Sequence, residues 1–422
     1  MLQPKKISHA ATIVLAGGQG TRLFPLTQHR CKPDIAFGGK YRLVNIPISN
    51  SIHSGVEQIF VISQYFSSQL NTHISQTFPS HPLHASSIHF IYPEEKHAGR
   101  QWYEGTADAI RKNIDLFSAC PVDYFIILSG DQLYSMDLSR MLETIERAEA
   151  EMVVAAMPVC GGDAKRMGLL RIDRHHAITN FYEKPQDPAI LNQFVYDHDA
   201  ASGARYLASM GIYIFKKDVL LGLLSSTQGN DFGKDLIPHQ ILHGQRNLCF
   251  LHEGYWEDIG TVKSFYEANL SLTQGQLALD LYDEAKPIYA QPHHFPAARF
   301  ERATVEKSVI CEGSLIDESH VIDSLIGPRV RIGKNCRIER CVILGNPVSD
   351  KLQPWPLSSY TIGDHSTLEG VIVDEYAKIG KNVTLINRSG CECYDGEGIY
   401  VRDKIIIVPA NTQLPDGYIF EA

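Results

Sequence analysis

The sequence predicts an α/β protein in two parts, a doubly wound, mostly parallel sheet followed by a parallel β-helix. Three observations carry this. Short apolar runs alternate with amphipathic stretches up to about residue 275. From about residue 303 an aliphatic residue recurs every six positions. At 422 residues, the chain is too long for one compact core. The expected division is a first domain at 1–275, a linker at 276–302 and a repeat domain at 303–422.

The runs at 12–16, 59–62, 125–128, 152–156 and 211–215 are rich in Ile, Val and Phe, as strands buried on both faces should be. Between them, Leu138, Met141, Leu142 and Ile145 keep the spacing of a helix with one apolar stripe. Thr106 is placed to cap another helix, with Ile110, Ile114 and Phe117 facing inward. Pro287, Pro292 and Pro296 mark the connector. Beyond it, Ile310 and Ile316 lie six apart, as do Ile326, Ile332 and Ile338, then Ile362 and Leu368, then Val373, Ile379 and Leu385. Gly327, Gly333, Gly363 and Gly380 follow several of these anchors, as in stacked hexapeptide coils. A proline-rich stretch at 346–359 interrupts the run and is expected to loop out.

Composition narrows the function. Thirty-nine Lys and Arg stand against 48 Asp and Glu, a net charge of −9, so no nucleic-acid partner is expected and any anion must be gripped locally. Nine cysteines without a C-x-x-C pair point to reduced thiols, not a disulfide framework. No stretch reaches the ~20 apolar residues of a membrane span, and the N-terminus lacks a signal peptide's pattern. A soluble, cytoplasmic protein with no membrane partner is expected.

Chemistry concentrates in a few motifs. The segment Leu15-Ala16-Gly17-Gly18-Gln19-Gly20-Thr21-Arg22-Leu23 follows the first strand directly. Its glycines let backbone N–H groups approach a phosphate chain, and Arg22 and Lys32 add cations. It is neither a Walker A loop nor a G-x-G-x-x-G turn. Asp131, in Ser129-Gly130-Asp131, ends the strand at 125–128, and Asp258 lies in Tyr255-Trp256-Glu257-Asp258-Ile259-Gly260-Thr261. Two such carboxylates suit Mg²⁺ when phosphates and water complete its octahedron. Glu183-Lys184-Pro185 could grip a sugar phosphate or form a surface ion pair before a turn.

The glycine loop with Lys32-Pro33, then G-T-A-D-A from Gly105, Gly130-Asp131, Glu183-Lys184-Pro185, Ser209-Met210-Gly211, D-F-G-K-D from Asp231 and Y-W-E-D-I-G-T from Tyr255 occur in order. Together, and over essentially the whole chain, they resemble the glucose-1-phosphate adenylyltransferases (ADP-glucose pyrophosphorylases), a family of sugar nucleotidyltransferases. The resemblance implies a left-handed β-helix and the reaction of ATP with α-D-glucose 1-phosphate to give ADP-glucose and diphosphate, in glycogen or starch synthesis. It implies that Leu15, Ala16, Gly17, Gly18, Gly20, Thr21, Gly105 and Asp131 bind nucleotide, with Arg22, Lys32 and Asp131 catalytic. Asp131 and Asp258 would hold Mg²⁺. Tyr103, Gly168, Glu183, Lys184, Ser209 and Asp258 would form the glucose 1-phosphate site. A homotetramer is implied, as are phosphorylated glycolytic effectors, with Lys404 matching an effector-binding lysine.

The chain departs from the family at several positions. Glu94 and Glu95 stand where a Gln pair reads adenine. An ionised Glu accepts but cannot donate, which opens nucleotide preference. Gln132 replaces a common His, Glu375 replaces an effector-site lysine, and His29 stands where enteric forms have lysine. Altered or weak regulation is expected. A different nucleotide preference and a non-catalytic regulatory subunit are the alternatives within the family. An acyltransferase, suggested by the hexapeptide repeats alone, leaves the phosphate loop unexplained.

Overall fold

A computed structural model of the chain describes residues 6–79, 86–93, 95–96, 99–100, 102–199, 203–244, 246–275, 279–347 and 360–421. Glu94 and most of the 346–359 stretch lie outside these residues, as does the side chain of Glu95.

The first domain is built on a ten-stranded sheet. At its centre Ile7–Leu15 pairs in parallel with Val56–Ile62 on one side and Tyr124–Ser129 on the other. Ile62 and Ser129 are both register partners of Leu15, so the carboxyl ends of these three strands are level. That edge is where a doubly wound sheet opens a ligand crevice. Ile13, Val14, Ile126 and Ile127 are fully buried, matching the apolar runs.

The other half of the sheet is mostly antiparallel, although Met152–Cys160 also pairs in parallel with Asn247–Leu251. Gly203–Lys216 runs antiparallel to both Tyr124–Ser129 and Met152–Cys160. Gly168–Ile172 and Ile178–Glu183 form a hairpin beside it. Connection length explains the hairpin, since strands joined by a few residues cannot be parallel, which needs a crossover. Burial on both faces makes such strands read alike in sequence, so the sheet is mixed in a way the apolar runs do not reveal.

Leu138–Arg147 is helical, with Leu138, Met141, Leu142 and Ile145 buried as their spacing predicts. The expected helix after Thr106 is instead two short ones, Thr106–Arg111 and Ile114–Ala119. Asn113 breaks it by donating its side-chain amide to the Ala109 carbonyl.

In the second domain, strands from successive coils stack in parallel. Ile316 aligns with Ile332, Val321 with Ile338, and Ile310 with Ile326. The six-residue period thus places one aliphatic anchor on each of three faces per coil. The first such strand, Arg299–Glu301, pairs with Leu315–Asp317, a few residues ahead of 303.

The two domains share one apolar cluster, in which Phe265 and Ala268 lie with Leu325, Val342, Ile372 and Ile407. The helix Val262–Ser271 carries this contact, and a reciprocal Thr261–Ser264 capping box fixes its start. Tyr266 donates its hydroxyl hydrogen bond to the Arg340 carbonyl in the second domain.

Candidate active site

A cavity of about 600 Å³ opens beyond the level strand ends. Leu15, Gly17, Gly18 and Arg22 line one side, and Glu183, Lys184 and Ser209 the other, with Asp131 and Asp258 between. Tyr103, Gly105 and Gly168 also line it. Sequence positions up to 243 residues apart therefore meet in one space.

The loop is shaped by close contacts. Gly20 has φ +67°, and a Cβ there would lie 2.9 Å from both the Lys32 Cβ and the Thr27 Cγ2. Thr27 donates its hydroxyl to the Gly20 carbonyl at 3.0 Å. Ala16, Gly20 and Lys32 do not line the cavity; Gly20 and Lys32 support the loop from beneath. Thr21 faces a second cavity, across Arg22 from the first, together with Phe24, Tyr65 and Arg402.

Asp131 and Asp258 converge because Gln132–Tyr134 and Trp256–Asp258 pair antiparallel, with Asp258 opposite Gln132. The Trp256 indole N–H donates to Gln132 Oε1 at 3.3 Å, so the residue in place of the family's His braces this rung. Both carboxylates reach one cation: Lys32 Nζ is 2.7 Å from Asp131 Oδ2 and 3.5 Å from Asp258 Oδ1. Burial opposes the charge on Asp131, but the Lys32 ammonium and a hydrogen bond from the Ser129 hydroxyl hold its carboxyl below the usual range. Burial likewise opposes the Lys32 charge, yet Asp131 and Asp258 outweigh it and raise its pKa.

A single positive centre within reach of both aspartates is the geometry a divalent ion would use. Among the described residues no group of three or more His, Cys, Asp or Glu could hold a metal. Asp131 and Asp258 are the pair that would hold such an ion, with phosphate and water needed to complete its ligands.

At the opposite end, Gly168 and Glu183 are register partners. A Cβ on Gly168 or on Gly233 would lie 2.7 Å from Glu183 Oε2, so both glycines make room for that carboxylate. Lys184 Nζ pairs with Glu183 Oε1 at 3.1 Å and stays half exposed, facing the cavity. Ser209 accepts from the Gly211 N–H at 3.3 Å. Gly105 begins the helix Thr106–Arg111, and a Cβ there would stand 2.2 Å from the Asn230 carbonyl oxygen. Thr106 is not the cap: its hydroxyl accepts from the Phe232 N–H, tying this helix to the D-F-G-K-D segment.

Several lining residues escaped the sequence reading. Gln64 accepts from the Tyr103 N–H at 2.9 Å, bracing one wall. Glu104 and Arg166 add charge around the cavity, beside Asp231 of the D-F-G-K-D motif. Arg166 and Glu104 lie one or two positions from recognised residues, whereas nothing local marks Gln64.

The effector-site residues separate. Lys404 is exposed, pairing with Glu392 at 3.5 Å, and lines neither cavity. Glu375 is buried at the domain junction against Arg30 and Arg42. It answers guanidinium groups of the protein itself.

Residues 11–275 match the family described as Nucleotidyl transferase, and residues 293–419 match the GLGC left-handed parallel beta-helix domain. A maize (Zea mays) protein, the glucose-1-phosphate adenylyltransferase large subunit 1 (chloroplastic/amyloplastic), is 36% identical over 438 aligned positions, covering 98% of this chain and 84% of the maize protein. With its mixed α/β sheet, its left-handed β-helix and likeness along nearly its full length, the chain belongs to the glucose-1-phosphate adenylyltransferase family of nucleotidyl transferases.

Proposed function

We propose that the chain catalyses ATP + α-D-glucose 1-phosphate → ADP-glucose + diphosphate. The observation that carries this reading is the approach of Asp131 and Asp258 to one cation between the glycine loop and the Glu183–Lys184 pair. The loop N–H groups and Arg22 hold the β- and γ-phosphates of ATP, and Lys32 supports them. Lys184 holds the phosphate of glucose 1-phosphate, while Glu183 accepts from sugar hydroxyls beside Ser209, Tyr103 and Gly168. When bound at Asp131 and Asp258, Mg²⁺ supplies charge neutralisation across the reacting phosphates.

A sugar phosphate oxygen then attacks the α-phosphorus in line, and diphosphate leaves on the opposite side. Two anions must approach, so positioning and neutralisation provide the rate. No covalent nucleophile is needed. A homotetramer is the assembly we propose, with weak or altered response to phosphorylated effectors because Glu375 is committed to buried arginines.

A second reading, a regulatory subunit, is favoured by one finding: the maize relative is itself a large subunit. Diphosphate release by the purified chain, measured separately with ATP, UTP, GTP and dTTP, tests both. Activity confined to another nucleotide overturns ATP as substrate. Inertness until a partner chain is added overturns independent catalysis.

A further inference from the structure

We propose that Lys32 is the resident cation of the metal-free site: its ammonium holds the place between Asp131 and Asp258 that the divalent ion takes, and metal entry releases it toward the phosphate loop. This rests on the metal reading above and adds to it a second role for the lysine.

The geometry carries the argument. Both aspartates line the cavity and Lys32 does not, yet its Nζ reaches back to 2.7 Å from Asp131 and 3.5 Å from Asp258. Its side chain is 10% exposed, against 20% for Asp131 and 37% for Asp258, so the ammonium plugs the pair from the protein side. Without it, two carboxylates held on adjoining segments would repel in a partly dry pocket. A divalent ion on the same pair carries two charges and would stand a few ångström from the ammonium in a partly dry pocket. The two cations repel, so the single charge on the flexible side chain gives way.

The lysine has somewhere to go. Its backbone is fixed in the short turn Lys32–Asp34, but four side-chain torsions remain. The start of that side chain lies directly under Gly20 of the loop. An ammonium pushed off Asp131 would thus swing from a stem that already lies against the loop proposed to bind triphosphate. Metal binding and phosphate capture would be linked through one side chain, without any backbone motion.

The test uses Mn²⁺ alone, without nucleotide. Crystals of the intact chain soaked in Mn²⁺ should show an anomalous peak between Asp131 and Asp258, with Lys32 Nζ beyond hydrogen-bond distance of Asp131. In solution, the free-Mn²⁺ electron spin resonance signal should report severalfold tighter binding for Lys32→Met, and loss of binding for Asp131→Asn. An ion on the pair with Nζ still on Asp131 overturns the proposal but keeps the metal reading, as does unchanged or weaker affinity in Lys32→Met. No ion at the pair, with Asp131→Asn binding like wild type, overturns both. The soaked wild-type crystal decides the matter if Lys32→Met does not fold.

Discussion

Arg42 Nη2 and Glu375 Oε1 stand 2.9 Å apart across the boundary between the two domains, both largely shielded from water. Arg30 completes a buried cluster, with Nη1 at 3.0 Å from Glu375 Oε2 and Nη2 at 3.1 Å from Asp374 Oδ1. Burial pushes the Asp374 carboxyl up and Arg30 counters it. Removing one partner of such a cluster strands charge in a dry interface. Glu375→Ala should cost about 3–5 kcal/mol of stability, read from denaturant unfolding. A change within about 0.5 kcal/mol would mean that water reaches the arginines.

Asp131→Asn keeps the side chain's size and removes its charge. Turnover should fall roughly a hundredfold or more through loss of the metal site. Steady-state kcat at saturating Mg²⁺ checks this, and near-normal turnover refutes the assignment.

Lys184 lines the cavity beside Glu183 and stands half exposed there. Its loss should chiefly raise KM for glucose 1-phosphate, since a charge-assisted contact is worth about 1.5–3 kcal/mol, roughly ten- to a hundredfold. If Lys184→Ala instead weakens ATP alone, the two substrate ends have been exchanged.

Gly233→Ala would set a methyl 2.7 Å from Glu183 Oε2. The carboxylate must turn away, so KM for the sugar phosphate should rise while KM for ATP stays within about twofold. Parallel titration of the two substrates separates these effects.

Burial, with Asp163 and Asp258 nearby, pushes Glu257 up to about 7. The folded chain therefore holds a proton there that the unfolded chain releases near pH 4.5, so stability falls as pH rises from about 4.5 to 7 and then levels. Glu257→Gln should be more stable than wild type at pH 8, by about 1–2 kcal/mol after solvent screening, and no more stable near pH 4.5. Thermal melts at both pH values check the sign.

Much of the site was legible because its chemistry is written locally. The glycine loop, Gly130-Asp131 and Glu183-Lys184 each end a strand, and strand ends are where such a sheet binds ligands. The antiparallel half of the sheet was not legible, since Gly203–Lys216 is buried on both faces whichever way it runs. Gln64 acts through the Tyr103 backbone, a partner that no pattern around either residue announces. Glu375 was read only as the replacement of an effector-site lysine, because sequence does not say that Arg30 and Arg42, 333 or more positions away in the chain, lie next to it in space.

Trp256–Asp258 leads within a few residues into the helix capped by Thr261, and that helix is seated on the β-helix by Phe265 and Tyr266. Asp131, by contrast, sits in the turn directly after the sheet strand Tyr124–Ser129. One jaw of the clamp is thus anchored to the scaffold of the first domain and the other is indexed to the second. A shift of the solenoid would therefore reach the jaw at Asp258, through this helix, before it reached the one at Asp131.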